Sequence, residues 1–247
     1  MIIKLINPNT TWSMTESCQE TADLVKRPDT KVICVSPQRG PESIECYTDE
    51  YLAIPGVFDE ILKGDREENV DAYIIACFGD PGLQAAREIT TKPVLGIAQS
   101  AMLLSTMVAP SFSVVSILDR SYKMMEDIVV AYGMSSFCKS IRTTGLSVLS
   151  FGEDPARGMA ALEAEAVRAV EEDKAESILL GCAGFVDFVA DLNKRLPVPV
   201  IDGVAPAVKF AEAMVDMKIM TGKNNTYALP QQKAFPGFED IPFVFGK

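Results

Sequence analysis

Ile74-Ile75-Ala76-Cys77-Phe78-Gly79 is the stretch that decides the fold, because Leu179-Leu180-Gly181-Cys182-Ala183-Gly184 repeats it in the second half of the chain. Each is an apolar pair, a small residue, a cysteine, any residue and a glycine. The apolar pairs belong to short runs that leave no face for water, as strands covered on both sides of a parallel sheet do. Two further landmarks keep the register. Pro93-Val94-Leu95 begins 16 residues after Cys77, and Pro199-Val200-Ile201 begins 17 after Cys182. Strands opening at Ile2 and Phe112 precede their cysteines by 75 and 70 residues. Three landmarks in one order point to an internal repeat of a single α/β unit, with its boundary near Ala109-Pro110-Ser111.

Hydrophobic periodicity fills in the units. It predicts strands at Ile2–Asn7, Lys31–Val35, Ala72–Cys77, Val94–Ile97, Phe112–Ile117, Leu146–Leu149, Ser177–Gly181 and Val200–Ile201. It predicts helices at Ser13–Lys26, Asp49–Leu62, Asp80–Glu88, Ala98–Met107, Tyr122–Tyr132, Pro155–Glu172, Val186–Leu196 and Ala205–Met217. Alternation of this kind is the mark of an α/β protein with parallel sheets. The expected domains are residues 1–109 with the last helix and tail, 204–247, and residues 110–203.

Composition narrows the function. A chain of 247 residues, 48% apolar and 23% charged, can bury one large core or two smaller ones. No apolar run reaches the roughly 18–20 residues that span a bilayer, so no membrane partner is expected. Met1-Ile2-Ile3-Lys4-Leu5-Ile6 reads as a strand, not as a signal peptide, and the expected setting is the cytoplasm. The net charge is −11, and 34 acidic residues outnumber 23 scattered basic ones. Nucleic acid is excluded as a partner, because its binding needs clustered Lys and Arg to displace counterions. The six cysteines, at 18, 34, 46, 77, 138 and 182, show no chelate spacing and are read as free thiols, with no metal site. Histidine is absent. That removes Ser-His-Asp and Cys-His systems and leaves proton chemistry to carboxylates, Lys, Tyr or Cys.

Cys18, Cys34 and Cys138 are read as small buried hydrophobes. Cys77 and Cys182 stand apart, because each follows a parallel strand where the chain turns through glycine into a helix. Ligands gather at the carboxyl ends of such strands. A helix start also offers N–H groups and positive partial charge, which favour a thiolate. Two such ends facing each other across a pseudo-twofold aim two thiols at one ligand from opposite sides. Racemisation needs that arrangement: one face loses a proton to a base while the other gains one from an acid of the same kind. A thiol, with an ordinary pKa of about 8.5, serves in either form. The resulting enolate would be held by backbone N–H donors of the two turns.

Other positions keep two readings. Asn7, opening Asn7-Pro8-Asn9-Thr10-Thr11, either shapes the start of the next helix or hydrogen-bonds a ligand amide. Ser116 and Ile117 occupy the equivalent strand end and admit the same pair of readings. Gly40–Cys46 is a turn by composition that either stays a loop or closes over a site. Gly181–Gly184 lacks the Lys-Ser/Thr of a phosphate loop, and no lysine lies in a pyridoxal motif, so no cofactor is expected. The tail Asn224–Lys247 carries Phe235, Phe238, Phe243 and Phe245. Burying a phenylalanine gains about 1.5–3 kcal/mol, so the tail is expected to pack on the body or on another subunit of a homo-oligomer.

Together, Asn-Pro-Asn-Thr after the first strand, Gly-Pro-x-Ser-Ile-Glu, Asp71–Gly82, Gly181–Gly184 and Pro199–Val204 resemble the hydantoin racemase group of the aspartate/glutamate racemase superfamily, in register from about Ile2 to Met217. The resemblance implies two Rossmann-like or flavodoxin-like domains, each with a four-stranded parallel sheet, with the site between them. It implies a metal- and pyridoxal-independent two-base mechanism on Cys77 and Cys182. The ligand contacts it implies are Asn7, Ser43, Ile44, Phe78, Gly79, Ser116, Ile117, Ala183 and Gly184. The substrate would be a cyclic ureide. Gly40–Tyr47 looks closest to the allantoin racemase branch, whose substrate is 5-ureidohydantoin, which would place the protein in purine catabolism. Cys46-Tyr47, Ser116-Ile117 in place of Thr-Thr, and the phenylalanine-rich tail depart from the group. An aspartate/glutamate-type racemase and a non-enzymatic two-lobed binding protein are the alternatives. The first calls for positive charge around a carboxylate, and no basic residue abuts either cysteine motif. The second leaves the paired cysteines without a purpose.

Overall fold

The computed structural model describes residues 1–231 together with 233, 234 and 236. The first half runs β1 (Ile2–Ile6), α1 (Trp12–Val25), β2 (Lys31–Val35), α2 (Tyr47–Lys63), β3 (Ala72–Ile75), α3 (Leu83–Ile89), β4 (Val94–Gly96) and α4 (Ile97–Val108). The second runs β5 (Phe112–Ser116), α5 (Tyr122–Ala131), β6 (Cys138–Thr143), α6 (Ser150–Glu153), α7 (Pro155–Glu171), β7 (Ile178–Leu180), α8 (Val189–Arg195), β8 (Val200–Ile201) and α9 (Val204–Asp216). Every strand pair is parallel. The sheets have orders β2-β1-β3-β4 and β6-β5-β7-β8, so the repeat seen in the sequence is a repeat of topology. The central strands β3, β5 and β7 are buried along their whole length, as uninterrupted apolar runs require.

The halves interlock. Ala98, Ala101 and Met102 of α4 pack with Phe112, Val114, Leu179 and Ile201 of the second sheet. Val204, Ala207, Val208 and Ala211 of α9 pack with Ile3, Leu5, Ala72 and Ile74 of the first. Each half therefore sends its last helix across to cover the other's sheet. The crossing is tight at Gly203, where a Cβ would lie 2.4 Å from the Ile97 carbonyl oxygen, so only glycine fits. Beyond α9 the chain returns to the first sheet. Thr221 Oγ1 donates to the Lys92 carbonyl at 2.6 Å, and Lys223 Nζ to the Glu88 carbonyl at 3.0 Å. Phe235, Phe238, Phe243 and Phe245, on which the packed-tail expectation rested, lie outside the described residues.

Two expectations are corrected. The strand expected at Leu146–Leu149 is a loop, and the fourth strand of the second sheet is Cys138–Thr143. Leu146 and Val148 are buried all the same, against Phe151, Phe185 and Leu180. Burial alone therefore does not distinguish a strand from a loop tucked beneath one. The strand β6 is polar because it is an edge held by side chains. Arg142 binds Asp173 at 2.6 and 2.8 Å, and the Ser140 hydroxyl meets that of Ser113 at 2.8 Å. The helix expected from Asp80 begins only at Leu83, because Asp80 and Gly82 have φ of 45° and 70°. No helix among the described residues is long and apolar enough to cross a membrane.

Lys4, in the centre of β1, has no solvent exposure. Its ammonium is paired with Glu60 and Glu68, each at 2.7 Å, and donates to the Glu60 carbonyl at 3.0 Å. Truncating one member of such a group leaves the others uncompensated. Lys4→Ala is expected to lose about 3 kcal/mol of stability, read as a lower urea midpoint with the slope retained. An unchanged midpoint would show that the pairing contributes nothing.

Candidate active site

The carboxyl ends of β1, β3, β5 and β7 converge on one cleft of about 470 Å³. Its floor is Ala76, Cys77, Phe78 and Gly79 from the first half and Gly181, Cys182 and Ala183 from the second. Ser116, Ile117 and Ser121 line one wall, Met124 and Met125 of α5 another, and Asn9, Met14, Ile44 and Val148 complete it. No charged side chain is among the described residues of this lining.

The residue after each cysteine explains why the thiols meet. Phe78 is buried in the cluster formed by α4, α5 and the second sheet. Ala183 and Val186 are buried in the cluster of the first sheet. Each turn thus inserts into the opposite half and carries its half-buried cysteine to the boundary. The two turns close alike, the Asp80 N–H donating to the Cys77 carbonyl at 2.9 Å and the Phe185 N–H to the Cys182 carbonyl at 3.1 Å. The Gly184 N–H donates to Cys182 Sγ at 3.4 Å, and the Gly79 backbone N–H likewise favours the charged form of Cys77.

These N–H groups favour a thiolate, as the sequence predicts, but they are outweighed. Burial pushes the Cys182 thiol up to about 11, with the Glu45 carboxylate adding to it. Burial pushes Cys77 higher still, and the charges of Cys182, Glu50 and Asp80 raise it further. The expected α-helix starts are also missing at the sulfurs. Cys182 leads into a 3-10 turn, Ala183–Phe188, and Cys77 into an irregular turn before α3. Both thiols therefore rest protonated, and Cys182 is the more readily ionised.

Asp80 pins the Cys77 turn. Its carboxylate accepts from the Ala98 and Gln99 N–H groups at the start of α4, both at 3.0 Å, and from the Tyr132 hydroxyl at 2.6 Å. Burial pushes it up to about 6 against these three bonds. A Cβ on Gly96 would lie 2.1 Å from the Asp80 carboxyl carbon, so glycine is required there. Over the cleft, Glu45 accepts from the Val148 N–H at 2.8 Å and ties the Gly40–Cys46 turn to the second half.

Of the residues singled out in the sequence, Ile44, Phe78, Gly79, Ser116, Ile117 and Ala183 line the cleft with the two cysteines. Asn7, Ser43 and Gly184 do not. Asn7 Nδ2 is committed to Asn9 Oδ1 at 2.9 Å and Thr15 Oγ1 at 3.0 Å, so it places Asn9, and Asn9 reaches the cleft. Met14, Ser121, Met124, Met125 and Val148 were not singled out. On α1 and α5 the methionines read only as apolar helix positions, and nothing local shows which wall they face. No three His, Cys, Asp or Glu side chains among the described residues group as a metal site.

A family model described as Asp/Glu/Hydantoin racemase matches residues 3–211. The chain belongs to this family. It is 54% identical to a hydantoin racemase of Pseudomonas sp. over 96% of this chain and 95% of that protein. It is 46% identical to a hydantoin racemase of Rhizobium meliloti, over 96% and 98%. Among solved structures, allantoin racemase from Klebsiella pneumoniae superposes with a TM-score of 0.94 at 40% identity, covering 98% of each chain. Members of the family at these identities make the chain an isomerase, a racemase.

The ionisation order is measurable by iodoacetamide alkylation followed by peptide mapping, since only the thiolate reacts. Both sulfurs are expected to alkylate slowly at pH 7–8. The rate rises with pH, at Cys182 before Cys77. Cys77 reacting as fast as Cys182 at pH 8 would contradict the burial order.

Proposed function

We propose that this racemase inverts C5 of 5-monosubstituted hydantoins by a two-base proton transfer between Cys77 and Cys182. The observation that carries the reading is the pair of thiols at equivalent strand ends of one cleft, one from each half. The reactive form is the one in which a single cysteine has lost its proton to solvent, and that thiolate takes the C5 proton from one face. The negative charge passes to the C4 carbonyl oxygen, and we assign its stabilisation to hydrogen-bond donors of the cleft lining, the backbone N–H groups after each cysteine and the Ser116 and Ser121 hydroxyls. The other thiol gives its proton to the opposite face. The thiol and thiolate have then exchanged places, and the enzyme is ready for the other enantiomer.

The lining supports a neutral ring over an amino acid. A free aspartate or glutamate needs cations for its carboxylates, and no charged side chain is among the described residues of the lining. Met14, Ile44, Ile117, Met124, Met125 and Val148 favour an apolar substituent on C5, and methionines adapt to varied shapes. A second reading, 5-ureidohydantoin, draws support from Asn9 and Ser121 as polar partners for a ureido group and from the allantoin racemase neighbour. The six free cysteines support a reducing, cytoplasmic setting.

The test is incubation in D₂O with single enantiomers of 5-benzylhydantoin, allantoin and glutamate, following optical rotation and proton exchange. Rotation decaying to zero with a hydantoin is the expected result, and turnover of glutamate alone would sink the reading. Cys77→Ser and Cys182→Ser should each lower racemisation by roughly 10²–10⁴-fold. Each should retain exchange with solvent from one enantiomer only, because one base survives on one face. Full racemase activity in either variant would exclude the two-thiol mechanism.

A further inference from the structure

The Cys77-Phe78-Gly79-Asp80 turn has two sides. One is the floor of the cleft. The other faces a groove of about 860 Å³ between α2, α3 and α5, and Gly79 and Met124 border both spaces. Glu50, in the first turn of α2, lines the groove together with Gly79. A Cβ built on Gly79 would meet the Glu50 carboxyl carbon at 3.5 Å and both carboxyl oxygens at 3.6 Å. The backbone N–H of this same glycine is the group that favours the charged form of Cys77. The carboxyl group thus faces the Gly79 peptide across a gap that a single methyl group would fill.

We propose that Glu50 is a positioning residue for Cys77 and not for Cys182: its carboxylate, on the far side of the Gly79 peptide, adds to the burial that holds the Cys77 thiol protonated, and protonation of Glu50 makes that thiol easier to ionise. The proposal rests on the reading of Cys77 as an acid–base group. It answers a difficulty the site presents. Histidine is absent from the chain, and the described lining of the cleft carries no charge, so a carboxylate that biases thiol against thiolate acts from outside the cleft. Two like charges close together cannot both form easily, so each raises the other's proton affinity.

The surroundings of Glu50 support the assignment. Burial, with the Asp80 charge beside it, pushes Glu50 up to about 7, so its charge changes near neutral pH. Asp80 itself is held by Tyr132 of the α5 end and by the start of α4, and Arg87 of α3 offsets its charge. On α5, Asp127 is paired with Lys123 at 2.8 Å and accepts from Tyr47, so this trio presents little net charge to the groove. On α2 itself, Asp49 accepts from the Glu45 N–H. Cys182 has a different carboxylate neighbour, Glu45, and Glu50 is not among the groups acting on it. Cys182 is therefore an internal control in the same molecule.

The test uses the full chain and reads alkylation of Cys77 and Cys182 separately by peptide mapping, from pH 5.5 to 10. In Glu50→Gln, Cys77 is expected to react roughly three- to tenfold faster at pH 8, a shift of about half to one pH unit, with Cys182 unchanged. Glu50→Asp keeps the charge and should stay within about twofold of the parent. In the unaltered enzyme, log rate against pH for Cys77 should flatten near pH 7, where Glu50 ionises. A Cys77 profile unmoved in Glu50→Gln, a shift common to both cysteines, or a slope of one throughout in the parent would each overturn the proposal. The readout does not depend on turnover, so a failure to racemise any hydantoin would remove the functional reading without deciding this one.

Discussion

The structure depends on an exchange of helices between its two halves. An α/β unit with a four-stranded sheet has two apolar faces to cover, and here the last covering helix of each unit is supplied by the other. The crossing passes through one point, Gly203 against Ile97, where no side chain fits. Because α4 and α9 are exchanged, the carboxyl ends of the two sheets are held face to face. The cleft is the space that this geometry leaves between them.

The turns after β3 and β7 reinforce the exchange and bring the two cysteines to the cleft. Phe78 enters one half's core and Ala183 the other's, so the residue that locks each turn is the neighbour of the thiol it positions. Asp80 adds a polar lock by joining the turn to α4 and to Tyr132. Both thiols then meet in a space with an uncharged described lining, where the neutral form of each is favoured. Carboxylates lie outside the cleft. Glu45 and Glu50, on either side of the α2 start, act on Cys182 and Cys77 respectively. A low-polarity space bordered by acids fits the proposed proton transfer to and from carbon, because a thiolate there is a stronger base than one in water.

Much of this was legible in the chain. The two Cys-x-Gly stretches and the Pro-Val repeats carried the topology, since a buried parallel strand has to be an unbroken apolar run. β6 was not legible. Its exposed Lys139 and its Ser140 and Arg142 are an edge strand's residues, the last two held by Asp173 and Glu172 some thirty positions on. Leu146 and Val148 carried the apolar signal and belong to the loop beneath it. The start of α3 was misplaced for a related reason. Asp80 reads as a helix-starting residue, yet its side chain serves the start of a different helix, α4.

By itself the sequence determined the α/β class, the internal repeat and the pairing of Cys77 with Cys182, because these rest on local patterns and on their recurrence. Tertiary structure decided the lining of the cleft. Asn9 stands there because Asn7 is consumed in holding it, and Met124 and Met125 because α5 turns that face inward. It also decided the resting charge of the thiols. Burial depends on what the rest of the chain places around a sulfur, and a contact such as Glu45 with Val148, 103 positions apart, leaves no trace in either neighbourhood of the sequence.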